Sequence, residues 1–115
     1  MADYPLIQDK TPHSWPEVYF ALALTKFNIP FFFQYLIGKR ASVRGSLIVD
    51  FVIIRPFYQA VEIFGEYWHT GQLGSGDKLK LDIERRYFKR ETIVIWADQL
   101  PDQDAADKLV QEKIL

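Results

Sequence analysis

Two carboxylates and a histidine lie close together between Ser46 and His69, and side chains of these types could do metal and proton chemistry. Asp50 and Glu62 each have apolar neighbours on both sides. Carboxylate oxygens are ligands that Mg²⁺ prefers, and an imidazole can exchange a proton near neutral pH. An aspartate within an apolar run is costly to bury without a partner, so Asp50 is predicted to be a site residue. Alternation along a strand could instead place Glu62 on an exposed face.

The hydrophobic pattern predicts the elements that must position these residues. It predicts helices over 14–28, 75–90 and 102–114, and strands over 31–37, 46–55, 59–64 and 92–96. Three short strands in succession predict a meander, and a strand that follows a helical crossover should join its neighbour in parallel. The sequence therefore predicts one α/β domain over 14–115, of order α-β-β-β-α-β-α, after an irregular lead-in over 1–13.

The predicted helices carry apolar stripes that should face the sheet. In the second helix, Leu79, Ile83 and Tyr87 recur at every fourth position, which predicts that they form its buried stripe. The final helix places its apolar residues on one side: Ala106, Leu109, Val110 and Ile114. Both helices are therefore predicted to be amphipathic.

Composition excludes several classes of protein. The 115 residues include 49% apolar and 16% aromatic side chains, enough for one buried core. The absence of cysteine excludes disulfides, thiolate zinc sites and cysteine nucleophiles, so a metal would need oxygen or imidazole ligands. Neither a signal peptide nor a membrane span fits the pattern, which predicts a cytoplasmic protein without membrane contact.

The formal net charge is −1, although nucleic-acid binders usually gain affinity from an excess of positive charge. Basic residues are nevertheless concentrated in the loop over 38–45 and in the helix over 75–90, while the stretch over 98–107 is acidic. In the loop, Lys39, Arg40 and Arg44 could contact phosphates or simply keep an exposed turn soluble. The segregation of charge therefore keeps nucleic-acid binding open.

Several short motifs recur in an order that resembles a known group of nucleases. They are Ser14-x-x-Glu17, Val49-Asp50-Phe51, Val61-Glu62-Ile63, Gly65-x-x-Trp68-His69, an aspartate at the start of the second helix, and Ile93-Val94-Ile95-Trp96. Together they resemble the PD-(D/E)XK superfamily, whose restriction-endonuclease-like core is a mixed four-stranded sheet flanked by helices. Within it, the chain looks most like very-short-patch-repair (Vsr) endonucleases, related EDxHD homing endonucleases and small DUF559-type proteins. The resemblance extends from Ser14 to Leu100.

The resemblance implies a Mg²⁺-dependent DNA endonuclease, with Mn²⁺ as a possible substitute. Asp50, Glu62 and the backbone carbonyl of Ile63 would hold the metal, and His69 would act as general base or as a donor to the phosphate. The wider superfamily has a lysine two residues after the second acid, where this chain has Phe64. Vsr-like enzymes also lack that lysine, so Phe64 favours that branch or an inactive relative.

A further acid is expected at the start of the second helix. Asp77 matches the DUF559-type spacing, with Lys80 where that pattern has arginine, whereas Asp82 matches the Asp-x-x-Arg motif but lies late. We prefer Asp77, because Asp82 and Glu84 could be exposed partners of the arginines that follow them.

The other candidate residues have alternative explanations. Glu17 could line the site or form a capping box with Ser14. Trp68 could contact DNA or serve as a packing residue. Lys39, Arg40, Arg44, Trp68 and Lys80 form the predicted nucleic-acid contacts.

Two classes of function follow from the resemblance. One is a nicking or homing-type endonuclease, or a Holliday-junction resolvase of the same superfamily. The other is a catalytically inactive nucleic-acid-binding or assembly module on this fold. A chain of this size has a small footprint on duplex DNA, so a homodimer would be a natural arrangement.

Overall fold

In the computed structural model, the described residues are 3–38, 47–65 and 75–115. They form a four-stranded mixed sheet with helices on both faces. The elements are α1 (Trp15–Lys26), β1 (Phe31–Ile37), β2 (Leu47–Ile53), β3 (Gln59–Phe64), α2 (Ser75–Phe88), β4 (Ile93–Trp96), a 3₁₀ turn (Ala97–Gln99) and α3 (Gln103–Lys113). The predicted α/β class and element order are confirmed.

The strands lie in the order β1-β2-β3-β4. β1 pairs with β2 and β2 with β3 in antiparallel fashion, so the predicted meander is confirmed. β4 pairs with β3 in parallel, with Val61 opposite Ile93 and Ile63 opposite Ile95. The connection through α2 therefore acts as the crossover that a parallel pair requires.

Two apolar clusters cover the two faces of the sheet. Beneath α1 and α3, the rings of Phe20 and Phe51 meet edge to face, with centroids 5.0 Å apart, and both side chains are fully buried. The opposite face packs Val49, Val52 and Ala60 against the end of α2. The first cluster is the larger core and anchors both terminal helices.

The predicted lead-in packs along the outer edge of β1. Phe33 N donates a hydrogen bond to Gln8 Oε1 at 2.8 Å, and Lys10 Nζ donates to Phe33 O at 2.8 Å. An uncovered edge strand can pair with other chains, so these contacts protect β1.

The predicted buried stripe of α2 is wrong. Leu79 and Tyr87 are 62% and 51% exposed, whereas Glu84 and Phe88 are buried. The buried line lies one position further along the helix and includes the half-buried Lys80. A search for apolar residues at helical spacing misses this face because two of its three members are charged.

α3 follows its prediction, with Ala106, Leu109 and Val110 buried against the main core. Asp102 caps the helix by accepting a hydrogen bond from Ala105 N at 2.9 Å. Across the part of the chain that the structure describes, no helix is both long enough and apolar enough to cross a membrane.

Candidate active site

β2 and β3 separate beside Asp50. Their antiparallel register runs from Ile53–Gln59 to Phe51–Val61. Beyond that pair, the contact between the strands is made by a side chain: Asp50 Oδ2 accepts a hydrogen bond from Ile63 N at 2.9 Å. Asp50 therefore contacts the peptide that directly follows Glu62, and the two strand acids lie at the same end of two central strands.

The backbone changes face at this position. Phe33 of β1 packs into the core beneath α1, yet Tyr35, two residues later, packs against the cluster on the α2 side. Residues two apart in a regular strand share a face. The intervening Gln34 has a φ of 53°, in the left-handed region that non-glycine residues rarely adopt. Asp50 lies between Val49 and Phe51, which are the β2 partners of Tyr35 and Phe33. The irregular backbone of β1 therefore lies beside the residue whose carboxylate bonds to β3.

Glu62 is fully buried, and its charge is opposed by a cation from α2. Lys80 Nζ lies 3.0 Å from Glu62 Oε1, and the Lys80 side chain is 28% exposed. Burial, a hydrogen bond with Glu84 and the charge of Asp50 raise the pKa of Glu62 to about 11, although Lys80 acts in the opposite direction. Burial alone would lower the pKa of Lys80, but the contacts with Glu62 outweigh it and raise that pKa.

Glu84 belongs to this cluster, and its predicted exposed position is wrong. The residue is fully buried on α2, and Thr92 Oγ1 donates a hydrogen bond to Glu84 Oε1 at 2.8 Å. Glu84 also contributes to the raised pKa of Glu62, through a hydrogen bond and through its charge. The predicted helix-surface pairing applies to Asp82 alone, which lies 2.7 Å from both Arg85 and Arg86.

Glu62 fits a carboxyl group that holds a proton. Among the described residues, no donor group reaches Glu62 Oε2 or Glu84 Oε2. A proton on Glu62 would turn that carboxyl group into a hydrogen-bond donor toward Glu84. Such an assignment agrees with the raised pKa of Glu62.

Glu17 is buried in α1 and is close enough to Asp50 for their charges to interact. Its pKa is raised by burial and, more weakly, by the charge of Asp50, while a hydrogen bond from His13 N lowers it. The predicted capping box with Ser14 is wrong. The Ser14 side chain caps no helix amide, and Glu17 Oε1 accepts instead from His13 N at 3.2 Å. Glu17 thus remains a candidate site residue.

The donor set suits Mg²⁺ in its chemistry. Asp50, Glu62 and the carbonyl of Ile63 are oxygen donors, and among the described residues no hydrogen-bond partner reaches Glu62 Oε2 or Glu84 Oε2. Within the described ranges, no group of three or more histidine or acidic side chains is arranged to hold a metal. Mg²⁺ commonly binds one or two carboxylates and fills its remaining positions with water and substrate phosphate, so two acids are compatible with it.

The remaining predicted site residues fall into two groups. Asp77 is exposed in the first turn of α2, and no hydrogen bond or ion pair in the described part of the chain joins it to Asp50 or Glu62. Lys80 is present, but its ammonium group contacts Glu62. The others lie outside the described residues: Lys39, Arg40, Arg44, Trp68 and His69.

Phe64 occupies the position where a lysine is expected from the resemblance, and its ring packs on Trp96. The ring centroids are 5.6 Å apart at an interplanar angle of 57°. The Phe64 side chain therefore packs β3 against β4. The positive charge at the site comes from Lys80 instead.

Glu84 and Thr92 are the site residues that the sequence pattern missed. The one available signal was the spacing of Lys80 and Glu84, four residues apart on the same helix face. No protein-family model, curated protein or solved structure matches this chain.

Proposed function

We propose that this protein is a metal-dependent endonuclease that hydrolyses DNA phosphodiester bonds. The observation that carries the proposal is the hydrogen bond from Ile63 N to Asp50 Oδ2, at 2.9 Å. It joins Asp50 to the peptide beside Glu62, so that two acids and a peptide carbonyl lie within one small region. A fully buried glutamate beside a second strand acid is costly, and a metal bound by both would offset that cost.

Each residue would have a defined task. Asp50, Glu62 and the Ile63 carbonyl would hold Mg²⁺ or Mn²⁺. When bound, the metal would neutralise charge on the scissile phosphate and make a water acidic enough to attack. The hydrogen bond with Ile63 would keep the Asp50 carboxylate oriented while substrate enters. His69 would accept the proton of the attacking water or donate to the phosphate.

Lys80 would supply the positive charge that the Phe64 position lacks. Its side chain reaches Glu62 from α2 and remains 28% exposed, so Lys80 lies at the border between the buried acid and solvent. A cation beside the developing negative charge would stabilise the transition state, and it would do so most strongly in a site shielded from water.

A second candidate is a catalytically inactive nucleic-acid-binding or assembly module. It is favoured by the packing of Phe64 on Trp96 and by the ion pair that already engages one oxygen of Glu62. In that case, the acids and Lys80 would form a structural cluster. Both candidates, including a Holliday-junction resolvase, are compatible with DNA as partner and with a homodimer.

Cleavage assays separate the two candidates. Supercoiled plasmid, linear duplex and four-way-junction DNA would be incubated with the full chain in Mg²⁺, in Mn²⁺ or in EDTA. We expect metal-dependent cleavage of at least one substrate and a loss of about 100-fold or more in Glu62→Gln. Glu112→Gln, which changes an exposed glutamate of α3, is the matched control. Absence of cleavage on every substrate by a folded protein would favour the inactive module.

A further inference from the structure

Five aromatic side chains form a continuous cluster beside the last turn of α2. We call it the aromatic surface: Phe32, Tyr35, Tyr58, Tyr87 and Phe88. The ring of Phe32 lies 5.4 Å from Tyr35 and 6.2 Å from Tyr58. Phe88 continues the cluster, at 6.2 Å from Tyr35 and 4.9 Å from Tyr87.

Three of these rings are open to solvent. Phe32, Tyr58 and Tyr87 are 37%, 45% and 51% exposed. Their neighbours hold them in position: Phe32 and Tyr35 are stacked, and a hydrogen bond joins Tyr35 to Tyr87. Contiguous exposed apolar area usually marks a binding site. Since the rings are already ordered, little conformational entropy would be lost when a ligand stacks on them.

Cations border the aromatic surface at the end of α2. Arg85, Arg86, Lys89 and Arg90 line a shallow groove that also includes Glu91. The Arg90 guanidinium carbon lies 3.2 Å from the ring centroid of the exposed Phe57. In the parts of the chain that the structure describes, neither Lys89 nor Arg90 has a carboxylate partner. The groove therefore keeps positive charge in a chain whose formal net charge is −1.

We propose that the aromatic surface and its bordering cations bind single-stranded DNA. Exposed rings offer stacking platforms to unpaired bases, and free cations offer contacts to the backbone phosphates. A duplex keeps its bases stacked on one another, so it could use the cations but not the rings. A second copy of this chain would bring its own unpaired cations against this groove, which disfavours self-association as the occupant.

The location relates this surface to the candidate active site without depending on it. Phe88 follows Glu84 by one helical turn, and Lys80 lies about 12 Å from Phe88 along α2. An unpaired strand held on the rings could thus continue toward the acids. Binding itself needs neither metal nor cleavage, so it can be tested even if the proposed hydrolysis is wrong.

The test is fluorescence anisotropy of a short fluorescein-labelled oligothymidylate with the full chain in EDTA. A duplex of equal length is the comparison. We expect the single strand to bind more tightly than the duplex, with affinity reduced about tenfold by Tyr58→Ala or Phe32→Ala. Arg90→Ala should weaken binding and flatten its salt dependence by about 0.7 in the logarithmic slope.

Matched controls distinguish binding at the aromatic surface from nonspecific DNA binding. Two residues elsewhere on the surface should tolerate substitution by alanine without loss of binding. They are Trp15, which is 43% exposed on α1 and stacks with Tyr19, and Lys108, an exposed cation on α3. Glu112→Gln, which changes an exposed glutamate of α3, should also bind normally, and the use of EDTA separates this proposal from the hydrolysis. Equal loss in the control variants, tighter binding of the duplex, or no binding of the single strand by the folded protein would overturn the proposal. So would a concentration-dependent dimer that Tyr58→Ala dissociates while leaving DNA binding intact.

Discussion

Lys80 Nζ lies 3.0 Å from Glu62 Oε1, and this ion pair joins the second helix to the third strand at the candidate site. The Lys80 side chain is 28% exposed, whereas Glu62 is fully buried. Its consequences can be tested in protein stability independently of any enzymatic activity.

Removing the Lys80 charge should destabilise the fold. Lys80→Met keeps an apolar stem but leaves Glu62 without its cation, so we expect a loss of about 1–3 kcal/mol in the free energy of unfolding. The loss stays below that of a fully buried pair because Lys80 is partly exposed and Glu62 can hold a proton. Lys78→Met, on the exposed face of the same helix, should change stability little. Urea denaturation measures both, and equal effects of the two substitutions would contradict the importance of the ion pair.

Glu62 should give stability a pH dependence of defined sign. Burial raises its pKa to about 11, so the folded chain binds more protons than the unfolded chain above the ordinary carboxyl pKa. Its contribution is complete below that ordinary value and is lost as pH rises toward the folded value. We expect Glu62→Gln to flatten the fall in unfolding free energy between about pH 5 and pH 8, by up to roughly 1.4 kcal/mol per pH unit. Parallel wild-type and variant curves in urea titrations would contradict this assignment.

The hydrogen bond between Asp50 and Ile63 should also be measurable in the folded protein. Asp50→Ala leaves the Ile63 amide without its acceptor, which should cost about 1–3 kcal/mol of unfolding free energy. Asp50→Asn retains an acceptor oxygen and should cost less. Hydrogen exchange at the Ile63 amide reports the bond directly: exchange should accelerate in the alanine variant and stay slow in the asparagine variant. Unchanged exchange in both would show that the bond is absent in solution.

Mg²⁺ should stabilise the wild-type protein if Asp50 and Glu62 are its ligands. A ligand that binds only the folded state at about ten times its dissociation constant contributes roughly 1.4 kcal/mol. The melting temperature should therefore rise in MgCl₂ relative to NaCl of equal ionic strength, and Asp50→Asn should abolish the rise. Because the metal competes with the proton on Glu62, the rise should grow with pH. An identical rise in Asp50→Asn would place the metal elsewhere.

The order of elements could be read from the sequence because each signal was local and strong. Strand bounds at 31–37 and 59–64 agree with the structure, since runs of branched and aromatic residues ended at clear turns. The parallel placement of β4 followed from chain connectivity alone. These features depend on backbone preference and on apolar periodicity, which a single sequence carries.

The position of the buried face of α2 could not be read in this way. Leu79, Ile83 and Tyr87 have the expected spacing, yet the buried line is Lys80, Glu84 and Phe88. Charged residues become inexpensive to bury only when partners from distant elements are already present. Glu62 from β3 and Thr92 before β4 supply those partners, and their arrival depends on tertiary structure. The spacing of apolar residues along the sequence does not carry that information.

The most direct test of the proposed endonuclease is the single-turnover rate of DNA cleavage by Asp50→Asn relative to wild type in Mg²⁺. Slow exchange of the Ile63 amide would verify that the variant keeps the local fold, and Asp98→Asn, which changes an exposed aspartate, is the matched control. We predict metal-dependent cleavage by wild type and by Asp98→Asn, with a loss of about 100-fold or more in Asp50→Asn. Cleavage by Asp50→Asn at the wild-type rate, or wild-type cleavage that persists in EDTA, would contradict a metal site at Asp50 and Glu62.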